Sequence, residues 1–259
     1  MATSDEQKAQ FRQAWQAAGE AVLASPRIDG REIEQILRGG IARAASGLLN
    51  IGIGIGIPCA PGRSTVEETL GCVSRLAYDY GYCPQTVQSF EVANNREHLV
   101  EKFINSGFKR MLFLDSDTVV EQKGIEQLME TMDRSRVAMV AAVVPQRYTG
   151  TAEYNVFLDD GNGGNIVMMR EHLPSTGVAF PAKAVGLAVA LLDLDKIKEV
   201  SGPRFKRVAE GKAHYGEDIA FCAWLTKHEL DFLVDPKVRT IHCVQHRFMF
   251  EWKPESQAT

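Results

Sequence analysis

Between Ile51 and Val144, short apolar runs take turns with stretches of helical periodicity. That alternation confines the chain to an α/β fold built on a mostly parallel sheet flanked by helices. The first run, Ile51-Gly52-Ile53-Gly54-Ile55-Gly56-Ile57, alternates strictly. It reads as a strand ended by Pro58, with a bare glycine face that another backbone or a flat ligand can approach. Ser64 stands three residues before Glu67, the spacing of a capping box, and Leu70, Val73, Ala77 and Tyr80 continue a helix. Thr86 to Val92 reads as a second strand. A helix from about Asn95 turns Leu99, Phe103 and Ile104 inward and stops at Gly107. Met111-Leu112-Phe113-Leu114 is wholly apolar, as a strand buried on both faces requires. Ile125, Leu128, Met129 and Met132 mark a further helix, and Val137 to Val144 a further buried strand.

After Pro145 the alternation breaks down. Tyr154 to Asp160, a glycine-rich turn at 161–164 and Ile166 to Met169 suggest a hairpin or an irregular loop. Ala184 to Leu192 reads as one strand, Asp218 to Thr226 as a helix, and Phe232 to Val234 and Val238 to Ile241 as short strands. Residues 1–48 form an expected N-terminal helical extension. One stripe there is Phe11, Trp15, Ala18 and Val22, and a second short helix carries Ile33, Ile36 and Leu37. Such stripes pack on the main domain or on another copy of the chain, which is a route to a homo-oligomer. Residues 251–259 read as a flexible polar tail. No repeat or low-complexity linker divides residues 49–250, so they read as one domain.

The formal net charge of −4 argues against a globally basic nucleic-acid surface. A local cluster, Arg204, Lys206, Arg207 and Lys212, reads as a solvated face or a mobile loop rather than a binding patch. Five cysteines, an odd number with no C-x-x-C pair, suggest neither a disulfide framework nor a zinc knuckle. Reduced thiols fit a cytoplasmic location. Polar and acidic residues stand where a signal peptide would have its apolar core, and no run is long enough to span a bilayer, so no membrane anchor is expected.

Asp115-Ser116-Asp117 follows the run at 111–114 directly. The carboxyl end of a parallel strand is where open α/β sheets bind ligands. Two carboxylates partly buried there call for a cation between them, and a divalent metal carrying a phosphate is the simplest. The plain alternative is a polar turn in which Asp115 caps the next helix. Gly216-Glu217-Asp218 opens a helix whose dipole favours ionised carboxylates, and one of these can take a proton from a hydroxyl; simple capping is the alternative. His242 and His246 end a late apolar strand, and a neutral imidazole suits Mn²⁺ better than Mg²⁺. Arg96, after Asn94-Asn95, can clamp a diphosphate bidentately or lie exposed at a helix start. The dinucleotide fingerprint fails at Ile57. Gly56, Gly62, Arg63 and Ser64 echo a P-loop, but the loop is one residue too long and Arg replaces Lys.

In order and spacing, residues from about 50 to 247 resemble a nucleotide-sugar glycosyltransferase of the GT-A type, near the large inverting family two, and most of all its small stand-alone members in bacteriophages and bacteria. The points of contact are the first strand with Pro58, the Asn95-Arg96 helix start, Asp115-Ser116-Asp117, the apolar strand with Gly186, Gly216-Glu217-Asp218, and the strand leading to His242. The resemblance implies that Asp117, supported by Asp115, holds Mn²⁺ or Mg²⁺ against the donor diphosphate, with His242 as third protein ligand. It implies that Pro58 and Arg96 hold base and phosphate, that Asp115-Ser116 faces the donor, and that Gly186 leaves room for the sugar. Asp218 would be the general base with Glu217 beside it, and in-line attack would invert the anomeric centre. The donor would be a nucleotide sugar, UDP-linked by expectation. The acceptor stays open among a glycan, a protein, a small molecule and a modified base of phage DNA, the last in a host cytoplasm. The departures are about fifty residues before the first strand, no clear acidic residue just after the second strand beyond Glu91, and Cys59-Ala60 in place of polar residues. A P-loop-like nucleoside triphosphatase and a non-catalytic nucleotide- or sugar-binding module are the rival readings.

Overall fold

The computed structural model describes residues 53–59, 65–80, 82–89, 91–146, 153–161, 165–206, 209–210, 213–214, 216–243 and 247–250. The expected N-terminal helices (Phe11 to Leu37), Gly62 to Ser64, the turn at 162–164, Arg207, Lys212, Tyr215, His246 and the tail lie outside them.

The alternating run forms β1 (Ile53–Cys59), buried throughout. A Cβ on Gly54 would run into the Phe103 ring, and one on Gly56 would stand 2.7 Å from Cε of Met111. The bare face therefore receives protein side chains, not a ligand or a second backbone. Nor does Pro58 end the strand. Pairing with β3 (Arg110–Leu114) stops at Gly56, and Pro58 and Cys59 continue against β2 (Cys83–Gln88) alone, where a missing N–H is tolerated. Between these strands lie α1 (Glu67–Tyr80) and α2 (Val92–Asn105). The second strand is thus displaced toward the N-terminus and the helix after it starts three residues early. A turn closed by Ser89, whose hydroxyl accepts the Glu91 N–H at 3.2 Å, separates them. After β3 come β4 (Thr118–Val120), α3 (Gln122–Ser135) and β5 (Met139–Ala142).

The second half contains a hairpin, β6 (Glu153–Asp159) with β7 (Asn165–Met169). The apolar run 184–192 is not one strand. It breaks at Gly186-Leu187-Ala188 into β8 (Ala184–Val185), which pairs with β6, and β9 (Val189–Asp193), which enters the main sheet. Then follow α4 (Leu194–Ile197), a small ribbon of β10 (Ala209–Glu210) and β11 (Ala213–His214), α5 (Glu217–Lys227), β12 (Phe232–Asp235), β13 (Thr240–Cys243) and β14 (Arg247–Phe250).

The six-stranded main sheet has the order β12-β5-β9-β3-β1-β2. All its strands run one way except β9, antiparallel to both β3 and β5. That reversal positions the site. The carboxyl ends of β1, β3 and β5 share one edge of the sheet, and β9 is entered from the same edge, so Gly186-Leu187-Ala188 lies beside Asp115. The Asp115 N–H donates to the Ala188 carbonyl at 2.9 Å. A three-stranded sheet, β14-β13-β4, continues from the acidic triplet. Its antiparallel register sets His242 opposite Thr118.

Both faces of the sheet are covered. Leu99, Val100 and Phe103 of α2 and Phe221, Cys222 and Leu225 of α5 pack with Met111 and Phe113 on one face. Cys72, Val73 and Leu76 of α1 and Ile125, Leu128 and Met132 of α3 pack with Ile53, Ile55, Leu112 and Leu114 on the other. Each such side chain contributes about 1.5–3 kcal/mol of apolar transfer. Phe205 meets Phe113 edge-on at 5.8 Å between centroids and stacks on Phe221 at 4.5 Å, which fixes α5 against β3.

Candidate active site

Asp117 sits one residue before β4 and His242 lies on the neighbouring β13. The Cys243 N–H donates to the Asp117 carbonyl at 2.7 Å, locking the two segments together. His242 Nδ1 is 2.8 Å from the Pro145 carbonyl. A carbonyl only accepts, so Nδ1 carries a proton and Nε2 is the ring nitrogen turned toward Asp117. Nε2 faces Asp117 Oδ1 at 3.6 Å, both groups being largely buried. That distance is too long for a hydrogen bond. Two electron-pair donors held opposite each other suit a shared cation, and an imidazole fixed by a backbone carbonyl through its other nitrogen has the usual outer-shell arrangement of a metal ligand.

Asp115 is not part of that pair. Its Oδ1 accepts from Arg96 Nη2 at 2.8 Å. Among the described residues no three His, Cys, Asp or Glu side chains gather closely enough to hold an ion. Of the set expected from the sequence, Asp117 and His242 face each other, while Asp115 turns to Arg96. Arg96 is buried rather than exposed at its helix start. It also reaches Glu217 Oε1, 3.5 Å from Nε, and the Leu187 carbonyl, 3.3 Å from Nη1. The guanidinium carbon lies 4.9 Å over the Phe113 ring.

Glu217 and Asp218 open α5, as expected, but Gly216 is needed for space rather than for a special backbone. Its φ of −62° suits any residue. A Cβ there would stand 2.6 Å from Asp218 Oδ1. Asp218 Oδ1 accepts the Ile219 N–H at 2.8 Å. The helix dipole predicts a carboxyl easily ionised, yet burial pushes Asp218 above the ordinary carboxylate range. Glu217 adds to the rise, while the Ile219 N–H and Arg96 oppose it. A Cβ on Gly186 would lie 3.4 Å from Asp218 Oδ2 and 3.1 Å from Asn155 Cβ, so this glycine lets β8 pass against the carboxylate.

Asn155 escaped the sequence reading. Its Nδ2 donates to the Gly186 carbonyl at 2.9 Å and its Oδ1 accepts the Val144 N–H at 2.7 Å, binding three segments at the sheet edge. The available signal was an asparagine within a β-rich run, where its propensity is poor. Asn95, read in the sequence only as part of the helix start, donates to the Cys59 carbonyl at 2.8 Å. Pro58 is buried in β1, and Ser116 offers its carbonyl to the Val66 N–H at 2.8 Å. Arg204 is buried, not part of a solvated face: Glu97 accepts from its guanidinium and, at 2.7 Å, from its N–H. Helix α1 starts at Glu67, and Gly62, Arg63 and Ser64 of the P-loop echo lie outside the described residues. All five cysteines are free and buried. No helix among the described residues is long and apolar enough to cross a membrane.

Neither a family model nor a curated protein matches the chain. Among solved structures it is similar to A197 from STIV, with a TM-score of 0.55 and 16% identity over 75% of this chain and 86% of that one. GalNAc-T7 with UDP, GalNAc and Mn²⁺ gives a TM-score of 0.47 at 13% identity, over 85% of this chain and 54% of that one. S. aureus TarS 1–349 gives 0.41 at 11%, over 71% and 58%. At 16% identity the likeness to A197 is one of fold: a mainly parallel sheet flanked by helices.

Proposed function

We propose that the chain is a GT-A type glycosyltransferase that moves a sugar from a nucleotide diphosphate to a hydroxyl acceptor. The observation that carries the reading is the Asp117–His242 pair, with Nδ1 engaged by the Pro145 carbonyl and Nε2 turned to the carboxylate. A carboxylate with an imidazole fits Mn²⁺ better than Mg²⁺. Asp117 and His242 would hold the ion, which when bound would offset the negative charge growing on the departing diphosphate.

The chain's own residues supply the rest. Asp218, raised by burial and by Glu217, is a stronger base than an ordinary carboxylate. It takes the proton of the acceptor hydroxyl at Oδ2 as the oxygen attacks the anomeric carbon. The bond from that carbon to the diphosphate oxygen breaks on the opposite side, which inverts the centre. Asn155 holds the Gly186 carbonyl, and the missing side chain of Gly186 leaves room for the Asp218 carboxylate beside the end of β8. A UDP-linked sugar and a cytoplasmic setting belong to this reading, and a modified DNA base remains one acceptor to test.

The deciding experiment screens nucleotide sugars for slow hydrolysis with Mn²⁺ present, in the parent and in His242→Ala. Nucleotide diphosphate release by the parent, lost or strongly reduced in the variant, supports the reading. ATP hydrolysis with no nucleotide-sugar turnover would replace it with a triphosphatase. Nucleotide binding without any turnover would leave a binding module.

A further inference from the structure

The Arg96 side chain is 4% exposed and lies at the meeting point of four segments. From the second turn of α2 it reaches Asp115 after β3, the Leu187 carbonyl between β8 and β9, and Glu217 at the start of α5. The Phe113 ring forms its floor. A guanidinium so enclosed has no open face left for a diphosphate. What it has is two carboxylates from the two acidic motifs that read as separate sites in the sequence.

The neighbouring residues of α2 show that this turn is a fastening point. Asn95 holds the end of β1 through the Cys59 carbonyl, and Glu97 holds Arg204 and the Phe205 N–H, the latter at 3.2 Å. Successive residues of a helix point about 100° apart, so three in a row reach three different neighbours. Arg96 is the member that spans from one acidic motif to the other. Its planar fork hydrogen-bonds Asp115 through Nη2 and stands at ion-pair distance, 3.5 Å, from Glu217 through Nε, a span that a single ammonium cannot cover.

We propose that Arg96 is a positioning residue that ties the acidic triplet after β3 to the Glu217-Asp218 start of α5, so that the donor side and the base side keep one fixed spacing. Asp115 and Glu217 are its two handles and touch neither acceptor nor leaving group through it. The mechanical part stands on the contacts alone. The consequence for turnover rests on the glycosyltransfer reading.

The test compares Arg96→Gln and Arg96→Lys with the parent by amide hydrogen exchange, then by donor kinetics. In Arg96→Gln, segments 115–118 and 217–221 are expected to exchange faster together, by about tenfold or more. In Arg96→Lys one segment stays protected while the other loosens, because one ammonium reaches one carboxylate. Acceleration confined to α2, or to a single acidic segment in the glutamine variant, overturns the proposal. If the glutamine variant does not fold, the lysine variant alone decides: two segments as protected as in the parent overturn it. In turnover, kcat is expected to fall by about 30-fold or more in both variants while the donor KM stays within about threefold. A raised donor KM at unchanged kcat would instead make Arg96 a diphosphate clamp. A parent that turns over no nucleotide sugar removes the glycosyltransfer reading and leaves the exchange result to judge the coupling by itself.

Discussion

On the glycosyltransfer reading, Asp218 concentrates the conflict between stability and chemistry in one side chain. Its carboxyl is buried beside Glu217, so the neutral form is favoured and the folded-state pKa lies above that of the unfolded chain. The folded state therefore binds the proton more tightly. The stabilisation is fully present below the unfolded pKa and is lost as pH rises through the folded one. Replacement by asparagine imitates the neutral form and keeps an oxygen for the Ile219 N–H. Asp218→Asn is thus expected to melt above the parent near pH 8, with the gap closing as the pH falls toward the ordinary carboxylate range. Melting curves across that span check this, and a variant less stable than the parent near pH 8 contradicts it. The same variant is expected to lose about 100-fold or more in transfer while donor affinity is kept. For the parent, kcat is expected to rise with pH along an acid limb set by the Asp218 carboxyl, above the ordinary carboxylate range. A rate independent of pH across that limb argues for another base. Asp218 could be picked out from the sequence because it opens a helix after a glycine. Its raised pKa could not, because burial depends on β8 and Gly186, which arrive from thirty residues away in the chain.

At the level of elements, β1 and α2 show what a periodic pattern does and does not reveal. The strict glycine alternation announced a strand with one bare face. It did not announce the occupant, which is Phe103 and Met111 rather than a ligand. Gly54→Ala is expected to cost about 1–3 kcal/mol, because the added methyl overlaps the Phe103 ring and the packed interior relaxes little. Urea unfolding measures it. In a Phe103→Leu background, the added methyl should cost at least about 1 kcal/mol less if the clash is the cause. Equal costs in both backgrounds would assign the loss to backbone conformation instead. The parallel strands β1, β3 and β5 were legible because each is a short apolar run followed by a helix pattern. The split of 184–192 and the reversal of β9 were not, since a strand buried on both faces carries no mark of its direction or of the sheet it joins. That hidden reversal brings Gly186 to the edge shared by Asp115 and Asp218. The meeting of Asp117 with His242 is set by the β13–β4 register, a pairing across more than a hundred residues for which neither strand alone has a signal.

For the whole molecule, the proposed ion site at Asp117 and His242 would link stability to ligand. On the glycosyltransfer reading, the two largely buried groups facing each other at 3.6 Å would take the ion between them, and binding there would add to the stability of the folded state. A ligand that binds only the folded state adds RT ln(1 + [L]/Kd), about 2.7 kcal/mol at a hundredfold excess over Kd. Spread over a chain of this size, that corresponds to about 5–10 °C in melting temperature. Mn²⁺ with a nucleoside diphosphate should give the larger shift and either alone a smaller one, because the ion neutralises the diphosphate and the diphosphate supplies the oxygens the protein does not. Asp117→Ala removes the carboxylate but none of the backbone contacts that fasten the triplet, such as the Cys243 N–H to the Asp117 carbonyl. Its melting temperature without ligand should stay near the parent's, while the shift with Mn²⁺ and nucleotide disappears. Asp115→Asn separates the two acidic roles. It loosens the tie to Arg96 and so lowers the ligand-free melting temperature, yet keeps most of the Mn²⁺-dependent shift. If the two variants exchange these behaviours, the ion belongs with Asp115, and Arg96 has been assigned to the wrong carboxylate.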